Sequence, residues 1–200
     1  MAAVLPEPLK GLVEQLSHLP GLGPKSALRL AMRLLQWPES ETRRLGESIS
    51  ALRDNLGLCS RCGAVSPVDP CPVCSDPGRD TSCLCVVPEW DSLLTLESGG
   101  FYNGLYFVLG GLLSPQLKKD ALDTGRLMAR LAEGEIREVI LALGATVEGE
   151  NTASYLRQLL ERAYPGLEVT RLAQGMPLGS EVKYMDRETL RQSLLHRQKI

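Results

Sequence analysis

Aromatic side chains make up only 4% of this 200-residue sequence, and long apolar runs are missing altogether. So few aromatic residues argue against the base-stacking platform that many single-strand-binding proteins use. No apolar stretch approaches the roughly 20 residues needed to cross a bilayer. The N-terminal segment also lacks the basic start and apolar run of a signal peptide. The sequence therefore predicts a cytoplasmic protein with no membrane span.

The sequence has no large excess of charge of either sign. It contains 22 Lys and Arg against 24 Asp and Glu, for a formal net charge of −2. This balance argues against nucleic-acid binding driven by the electrostatic field of the whole protein. Between positions 9 and 35, however, four basic residues accompany only one acidic residue, Glu14. A local basic site near the N-terminus is therefore compatible with the sequence.

Periodicity divides the chain into four predicted parts. Apolar residues recur at helical spacing before and after a Gly-Pro turn near position 22, and short apolar runs alternate with helix-like segments after position 81. Alternating buried strands and helices indicate a parallel sheet covered on both faces. We expect an α+β chain with a helical region over 1–56, a cysteine-rich loop over 57–80, an α/β domain over 81–175, and a C-terminal strand (182–185) and helix over 176–200.

Four cysteines in the loop are spaced C-x2-C-x8-C-x2-C: Cys59, Cys62, Cys71 and Cys74. Two such pairs can complete a closed tetrahedral zinc site, and the loop offers little core of its own. Disulfides are the alternative, but the expected cytoplasmic location disfavours them. We therefore predict one structural Zn²⁺ per chain. Cys83 and Cys85, two apart on the first predicted strand, are expected to be buried free thiols, with spare zinc ligands as the alternative.

The segment Leu19–Ala27, LPGLGPKSA, is typical of a helix-hairpin-helix. Its two glycines can adopt the positive φ values that a tight turn requires, and they let a ligand approach the backbone closely. The free N–H groups that begin the second helix attract a phosphate oxygen, and Lys25 and Arg29, four apart on one helical face, can neutralise phosphates. We predict sequence-independent DNA binding by Lys25 and Arg29, with a packing hairpin that carries solvated charges as the alternative.

Carboxylates follow two of the predicted strands. Glu89 and Asp91 come after the first strand, and Glu148 and Glu150 come after the third. Because ligands bind at the carboxyl ends of parallel strands, these groups could hold Mg²⁺ for phosphoryl transfer. The alternative is acidic residues placed at helix N-termini. No Asp-x-Asp pair ends a strand, so the set looks incomplete for catalysis, and we assign no catalytic residue.

Together these segments resemble the RecR family of bacterial recombination mediators over essentially the whole chain. The resemblance rests on LPGLGPKSALRLA, the four-cysteine loop, CVV…LE…GLYFVLGGLLSP, GEIREVILALGATVEGENTASYL and TRLAQGMPLGSEVKYMD. It implies a helix-hairpin-helix, a C4 zinc finger, a Toprim domain and a swapped C-terminal segment, assembled as a tetrameric ring around DNA. It also implies action with RecO, and in some bacteria RecF, to load RecA onto SSB-coated single strands. Lys25 and Arg29 fall on the family's DNA-contacting positions.

The sequence departs from the family pattern in three places. Pro88 replaces the acidic residue after the Cys-Val-Val strand, with Glu89 one position later, where a side chain on a strand would turn to the other face. Gly144-Ala145 replaces an Asn-Pro pair, and the glycine-rich loop after Leu-Ser-Pro is shortened to 116–119. These changes weaken a catalytic role for the Toprim face and leave the interpretation as a clamp intact.

Three functions are compatible with these features. The first is a non-enzymatic DNA clamp and adaptor, in which Glu148 and Glu150 bind basic groups of RecO. The second is a Mg²⁺-dependent Toprim enzyme that uses Glu89, Glu148 and Glu150 as a nuclease, primase or topoisomerase-like activity. The third is a zinc module that binds proteins only, which would leave the basic hairpin without a role.

Overall fold

The computed structural model describes residues 5–197, and the chain divides into two compact units between Asn55 and Leu56. The cysteine loop belongs to the same unit as the sheet that follows it. Within residues 5–197, no helix combines the length and the apolar character needed to span a membrane.

The first unit consists of three helices: α1 (Glu7–Ser17), α2 (Pro24–Leu34) and α3 (Glu39–Asn55). Helices α1 and α2 pack through the buried residues Val13, Ala27 and Ala31. The two alanines are fully buried, and small side chains at these positions let the helices approach closely. Helix α3 buries none of its residues.

The second unit begins with the cysteine loop. A two-residue antiparallel pair, β1 (Gly57–Leu58) with β2 (Val65–Ser66), closes the first cysteine turn, and the short helix α4 (Pro72–Ser75) carries the last cysteine. Strands of two residues supply few ladder hydrogen bonds. The loop therefore needs another source of stability, which metal binding by its cysteines can provide.

A four-stranded parallel sheet forms the centre of the second unit, as the sequence predicted. Its strands are β3 (Asp80–Val87), β4 (Gly104–Val108), β5 (Glu138–Leu141) and β6 (Glu168–Arg171), in the order β4-β3-β5-β6. The connecting helices are α5 (Trp90–Ser98), α6 (Thr124–Ala132) and α7 (Val147–Ala163), with a single 3₁₀ turn at Lys119–Ala121 before α6. The connections leave β3 and β5 in opposite directions, so the topological switch point lies between these two strands.

Both faces of this sheet are buried, by different elements. Leu84 and Val86 of β3 face a cluster that includes Leu127 of α6 and Leu156 of α7. On the other face, Cys85 belongs to a buried cluster with residues of α5 and of the cysteine loop. The cysteine loop thus takes the place that a second helix would occupy on that face. The predicted α+β class and the parallel sheet are confirmed.

The predicted C-terminal strand is wrong. Val182–Tyr184 forms a 3₁₀ turn, in which the N–H of Tyr184 donates to the carbonyl of Glu181. Val182 and Tyr184 are 62% and 73% exposed. A strand requires a neighbouring strand to satisfy its backbone, and within the described part of this chain these residues have none. The predicted C-terminal helix is present as α8 (Arg187–Leu195).

Candidate metal centre and nucleic-acid interface

The four loop cysteines converge as a metal site requires. Their Sγ atoms all lie within 4.8 Å of one another, and those of Cys62 and Cys71 are 3.6 Å apart. Four sulfurs held about 2.3 Å from one tetrahedral ion lie about 3.8 Å apart. The donor set therefore has the spacing that zinc requires. Three of the four cysteines are buried and Cys74 is half-buried, so the site is closed to exchangeable ligands.

Backbone N–H groups already point at the sulfurs. The N–H of Ala64 donates to Cys62 Sγ at 3.4 Å, and the N–H of Cys71 donates to Cys59 Sγ at 3.3 Å. Gly63, at φ +76°, makes the first turn tight enough for this geometry. Donors of this kind stabilise negative sulfur, so the loop is prepared for thiolate ligands.

Two of the four thiols, those of Cys62 and Cys71, resist ionisation. A hydrogen bond with Cys74, followed by burial, raises the pKa of Cys62, and burial raises the pKa of Cys71 to about 11. Burial acts in the same sense on Cys59, but hydrogen bonds from neighbouring N–H groups outweigh it and lower the pKa of that thiol. Because zinc binds thiolates, binding is expected to release protons and to weaken as the pH falls.

Contacts that the sequence did not reveal fix the cysteine loop to the sheet. Arg126 of α6 donates to the carbonyls of Cys59 and Ser60 at 2.6 and 3.1 Å. The N–H of Val108, at the end of β4, donates to the carbonyl of Cys62 at 2.7 Å. Arg126 lies 67 residues from Cys59 in the chain, so no local pattern signals this contact.

Asp69 links the two cysteine pairs within the loop. Its Oδ1 accepts hydrogen bonds from the N–H of Ser60 at 2.8 Å and from its hydroxyl at 2.9 Å. These bonds lower the pKa of Asp69. Its position beside Pro70, between the cysteine pairs, is a local signal that sequence reasoning could have used.

In the hairpin, one glycine performs the turn and the other begins the helix. Gly21 has a φ of +77°, whereas Gly23 has an ordinary φ of −77° and is the N-cap of α2. The expectation that both would adopt positive φ is therefore wrong. No side chain among residues 5–197 caps α2, and the first intrahelical bond runs from the N–H of Ala27 to the carbonyl of Gly23. The N–H groups of Lys25 and Ser26 thus begin the helix without a capping side chain.

Lys25 and Arg29 both lie exposed on α2, on the face opposite the buried Ala27 and Ala31. Arg33 continues this row by one further helical turn. Helix α2 contains no acidic residue, so its positive charges are not neutralised from within the helix. The result is a cationic ridge that starts at a helix N-terminus, the combination to which phosphates bind.

The sheet edge does not assemble the carboxylates into a metal site. Among the described residues, the four cysteines are the one group of three or more His, Cys, Asp or Glu with metal-binding spacing. Glu89 is the exposed N-cap of α5, and Asp91 accepts a hydrogen bond from the N–H of Ser92 at 2.6 Å. Cys83 and Cys85 also lie outside the metal-binding group: Cys85 is buried and Cys83 half-buried.

Glu148 and Glu150 lie in the first turn of α7. Thr146 caps this helix by accepting a hydrogen bond from the N–H of Gly149. The Glu150 carboxylate receives Arg171 Nη1 at 3.0 and 3.1 Å and Gln174 Nε2 at 2.8 Å. Glu148 is exposed and has no side-chain bond of this kind among the described residues. The two glutamates are therefore not equivalent.

At Pro88, the carbonyl oxygen takes part in a loop contact. It accepts hydrogen bonds from the N–H groups of Gly110 and Gly111 at 3.0 and 2.9 Å. This contact ties the exit of β3 to the loop after β4, at the strand end where the family pattern has an acidic side chain. Pro88 thus places a backbone carbonyl, and no carboxylate, at this point of the switch-point edge.

Family models match all four parts of the chain. They are a RecR helix-hairpin-helix over residues 9–53, a RecR zinc finger domain of the four-cysteine type over 56–76, a Toprim domain over 82–173 and a RecR C-terminal segment over 175–198. The zinc-finger match and the geometry of the four sulfurs agree. The loop fits one structural zinc, and this prediction is confirmed.

Curated proteins similar to this chain carry the name "Recombination protein RecR". The protein from Nitratidesulfovibrio vulgaris is 67% identical over 196 residues, which cover 97% of this chain and 98% of its own. The protein from Maridesulfovibrio salexigens is 52% identical over 198 residues, covering 98% of both chains. That from Moorella thermoacetica is 46% identical over 197 residues, with the same coverage.

Proposed function

The chain belongs to the RecR family of recombination proteins, and we propose that it acts in recombinational DNA repair as a non-enzymatic clamp that binds DNA without regard to sequence. The observation that carries this proposal is the cationic ridge of α2. Lys25 and Arg29 are exposed there, beside a helix N-terminus that none of the described side chains caps. Contacts of this kind position a phosphate backbone without reading base edges.

The proposal assigns DNA contact to Lys25 and Arg29 and a folding role to the zinc. The family resemblance supports a homotetrameric ring in the cytoplasm at the nucleoid, acting with RecO, and with RecF where it is present, to load RecA onto SSB-coated single strands. Glu148 and Glu150 are the residues proposed to contact RecO. The exposed carboxylate of Glu148 suits basic groups on a partner better than that of Glu150, which already binds Arg171 and Gln174.

The salt dependence of DNA binding tests the hairpin assignment. Replacing Lys25 and Arg29 together with Ala should weaken binding about equally for unrelated sequences and reduce the slope of log K against log salt by about one to two contacts. Lys10 provides a matched control, because it is also exposed in this unit but lies near Glu7, 3.6 Å away. Lys10→Ala should leave the slope close to the parent value. An unchanged slope in the double variant would remove Lys25 and Arg29 from the interface.

An activity assay separates the clamp from a Toprim enzyme. Pure protein with Mg²⁺ and nicked or supercoiled DNA should leave the DNA intact. If cleavage or relaxation appears and disappears with Glu148→Gln, the clamp hypothesis fails and the enzyme hypothesis stands.

A further inference from the structure

The two edges of the parallel sheet differ. At the β4 edge, the N–H of Val108 donates to the carbonyl of Cys62 at 2.7 Å, so the cysteine loop lies against this edge. Strand β6 forms the other edge, and within residues 5–197 no strand pairs with its outer side. The sheet therefore has one closed edge and one open edge, both within the second unit.

The open edge presents unpaired backbone groups. The N–H of Glu168 donates to the carbonyl of Arg137, on the β5 side. Because successive residues of a strand direct their backbone groups to alternate sides, the N–H and C=O groups of Val169 and Arg171 point away from β5. No described residue forms a hydrogen bond with them on that side. A short, charged edge strand can simply be protected against pairing, so the open edge alone indicates no function.

A groove beside this edge supplies a second observation. It has a volume of about 430 Å³ and lies between β6 and one flank of α7. The four lining residues of α7 have the spacing i, i+3, i+4, i+7, which places them on the same side of the helix: Glu150, Ala153, Ser154 and Arg157. The rest of the lining comes from the sheet: Leu141 of β5, and Val169, Thr170 and Arg171 of β6. Ala153 and Ser154 are small, so a peptide chain has room beside the strand.

The rim of the groove is cationic. The side chain of Arg157 is 60% exposed, and the carboxylate of Glu161 lies 3.8 Å from it, beyond hydrogen-bond distance. Arg171 donates to Glu150 through Nη1, and its Nε and Nη2 have no partner among the described residues. The lining thus holds two guanidinium groups and one carboxylate. An occupant that carries carboxylates would balance this charge.

We propose that this groove binds an extended acidic segment of a partner protein, which adds to the four-stranded sheet as a further strand. The backbone of the segment pairs with Val169 and Arg171, the mode of recognition called β-augmentation. Every second side chain of the segment then faces α7. An apolar side chain packs on Leu141 and Val169, and carboxylates two residues before and after it reach Arg157 and Arg171. The preferred sequence pattern is therefore acidic-x-apolar-x-acidic.

The spacing of the two arginines supports this pattern. Glu150 contacts Arg171, and Arg157 lies seven residues further along α7, which is about 10 Å along the helix axis. Carboxylates four residues apart on a strand are separated by about 13 Å. The difference lies within the reach of two long arginine side chains. One arginine can therefore pair with each carboxylate.

Two other occupants fit the groove less well. DNA carries negative charge but no peptide backbone, so it cannot extend a sheet. A second copy of the chain could offer Val182–Tyr184, which lacks a strand partner among the described residues, but Lys183 there offsets the charge of Glu181. Charge complementarity therefore favours an acidic partner segment. The groove lies in the second unit and the hairpin in the first, so a test of the groove does not depend on Lys25 and Arg29.

Synthetic peptides test the groove with the full-length protein. The probe is a fluorescein-labelled peptide, Gly-Ser-Asp-Thr-Val-Thr-Asp-Ser-Gly, whose binding is measured by fluorescence anisotropy. We expect the same peptide with Asn in place of both Asp to bind about tenfold more weakly, since two exposed ion pairs are lost. Methylation of backbone nitrogens reports on strand pairing. Methylating one alternate set of residues should abolish binding, and methylating the other set should change the affinity by less than about threefold.

Three variants locate the peptide on the protein. Ser154→Tyr places a large side chain in the groove from an exposed helical position, so it should weaken binding by about tenfold or more. Arg157→Gln should weaken binding about fivefold through the loss of one exposed ion pair. Arg162→Gln is the matched control, because Arg162 is exposed on the same helix but does not line the groove, and it should bind as the parent does. All three variants should keep the melting temperature and zinc content of the parent.

Equal affinity of the parent protein for the Asp and Asn peptides would overturn the proposal. So would equal peptide binding by Ser154→Tyr and the parent, or equal effects of the two methylated sets. If the parent binds no peptide and Ser154→Tyr lowers the molar mass measured by light scattering, the edge pairs copies of this chain, and the assignment to a partner segment fails.

Discussion

The cysteine loop and the basic hairpin differ most in how deeply their functional side chains are held. Cys59 and Cys62 are 1% exposed and pack in the same cluster as strands of the sheet. Lys25 and Arg29 extend into solvent from a helix that packs through two alanines. Substitutions in the loop should therefore affect the folding of its unit, whereas substitutions in the hairpin should affect DNA binding alone.

The largest expected effect lies at the zinc site. Cys71→Ala leaves three ligands, and structural zinc contributes about 10–16 kcal/mol of apparent binding energy in small zinc-finger peptides. Because whole domains are stable by only about 5–15 kcal/mol, we expect poor solubility and loss of cooperative unfolding. Elemental analysis and thermal unfolding measure the result. Cys83→Ala, at a half-buried thiol outside the site, should retain one zinc per chain. A soluble Cys71→Ala protein with full zinc content would contradict the assignment.

Two glycines test the same contrast between packed and open positions. A Cβ at Gly149 would clash with the backbone carbonyl oxygens of Gly144 and Leu143, and it would lie 2.5 Å from the latter. Gly149→Ala should therefore cost about 2 kcal/mol, since the first turn of α7 must shift. A Cβ at Gly23 would meet nothing within 4 Å, so Gly23→Ala should cost less than about 1 kcal/mol, the effect of a weaker N-cap. Thermal unfolding of both variants checks the order, and a larger loss at Gly23 would reverse it.

Much of this architecture could be predicted from the sequence because its signals are local. The cysteine spacing, the helical periodicity and the apolar strand runs each depend on neighbouring residues. Sheet order and the Arg126 and Val108 contacts could not be predicted in this way, since they depend on which distant segments pack together. The prediction of a C-terminal strand was wrong for a related reason. Its alternating apolar residues favour a strand, but a strand forms only where a neighbour is present.

Arg126 tests how far the loop and the sheet depend on each other. Arg126→Met removes the donors to Cys59 and Ser60 but retains an aliphatic stem. The carbonyl of Ser60 loses this partner and that of Cys59 keeps the N–H of Gly63, so we expect a cost of about 1–3 kcal/mol. We expect a lower melting temperature and several-fold faster loss of zinc to a chelating indicator.

Arg157 supplies the matched control for this prediction. It is exposed on α7 and pairs with Glu161 of the same helix at 3.8 Å, an arrangement that contributes little to stability. Arg157→Met should therefore match the parent in both melting temperature and zinc loss. Equal zinc-loss rates for the Arg126 variant and the parent would show that the loop holds its metal without α6.

The smallest effects are expected at the acidic sheet edge, where the sign of the charge is opposite to that of the hairpin. Glu148→Gln should weaken RecO binding about fivefold, the size of one exposed ion pair of about 1 kcal/mol. Glu150→Gln should weaken it less, because that carboxylate already binds Arg171 and Gln174. DNA affinity should stay the same or rise slightly in both variants, since a negative charge near phosphates is removed. Titrating RecO and DNA against the same two proteins measures both effects. RecO affinity equal to that of the parent in Glu148→Gln would refute the partner assignment. A loss of DNA affinity instead would show that this edge contacts nucleic acid.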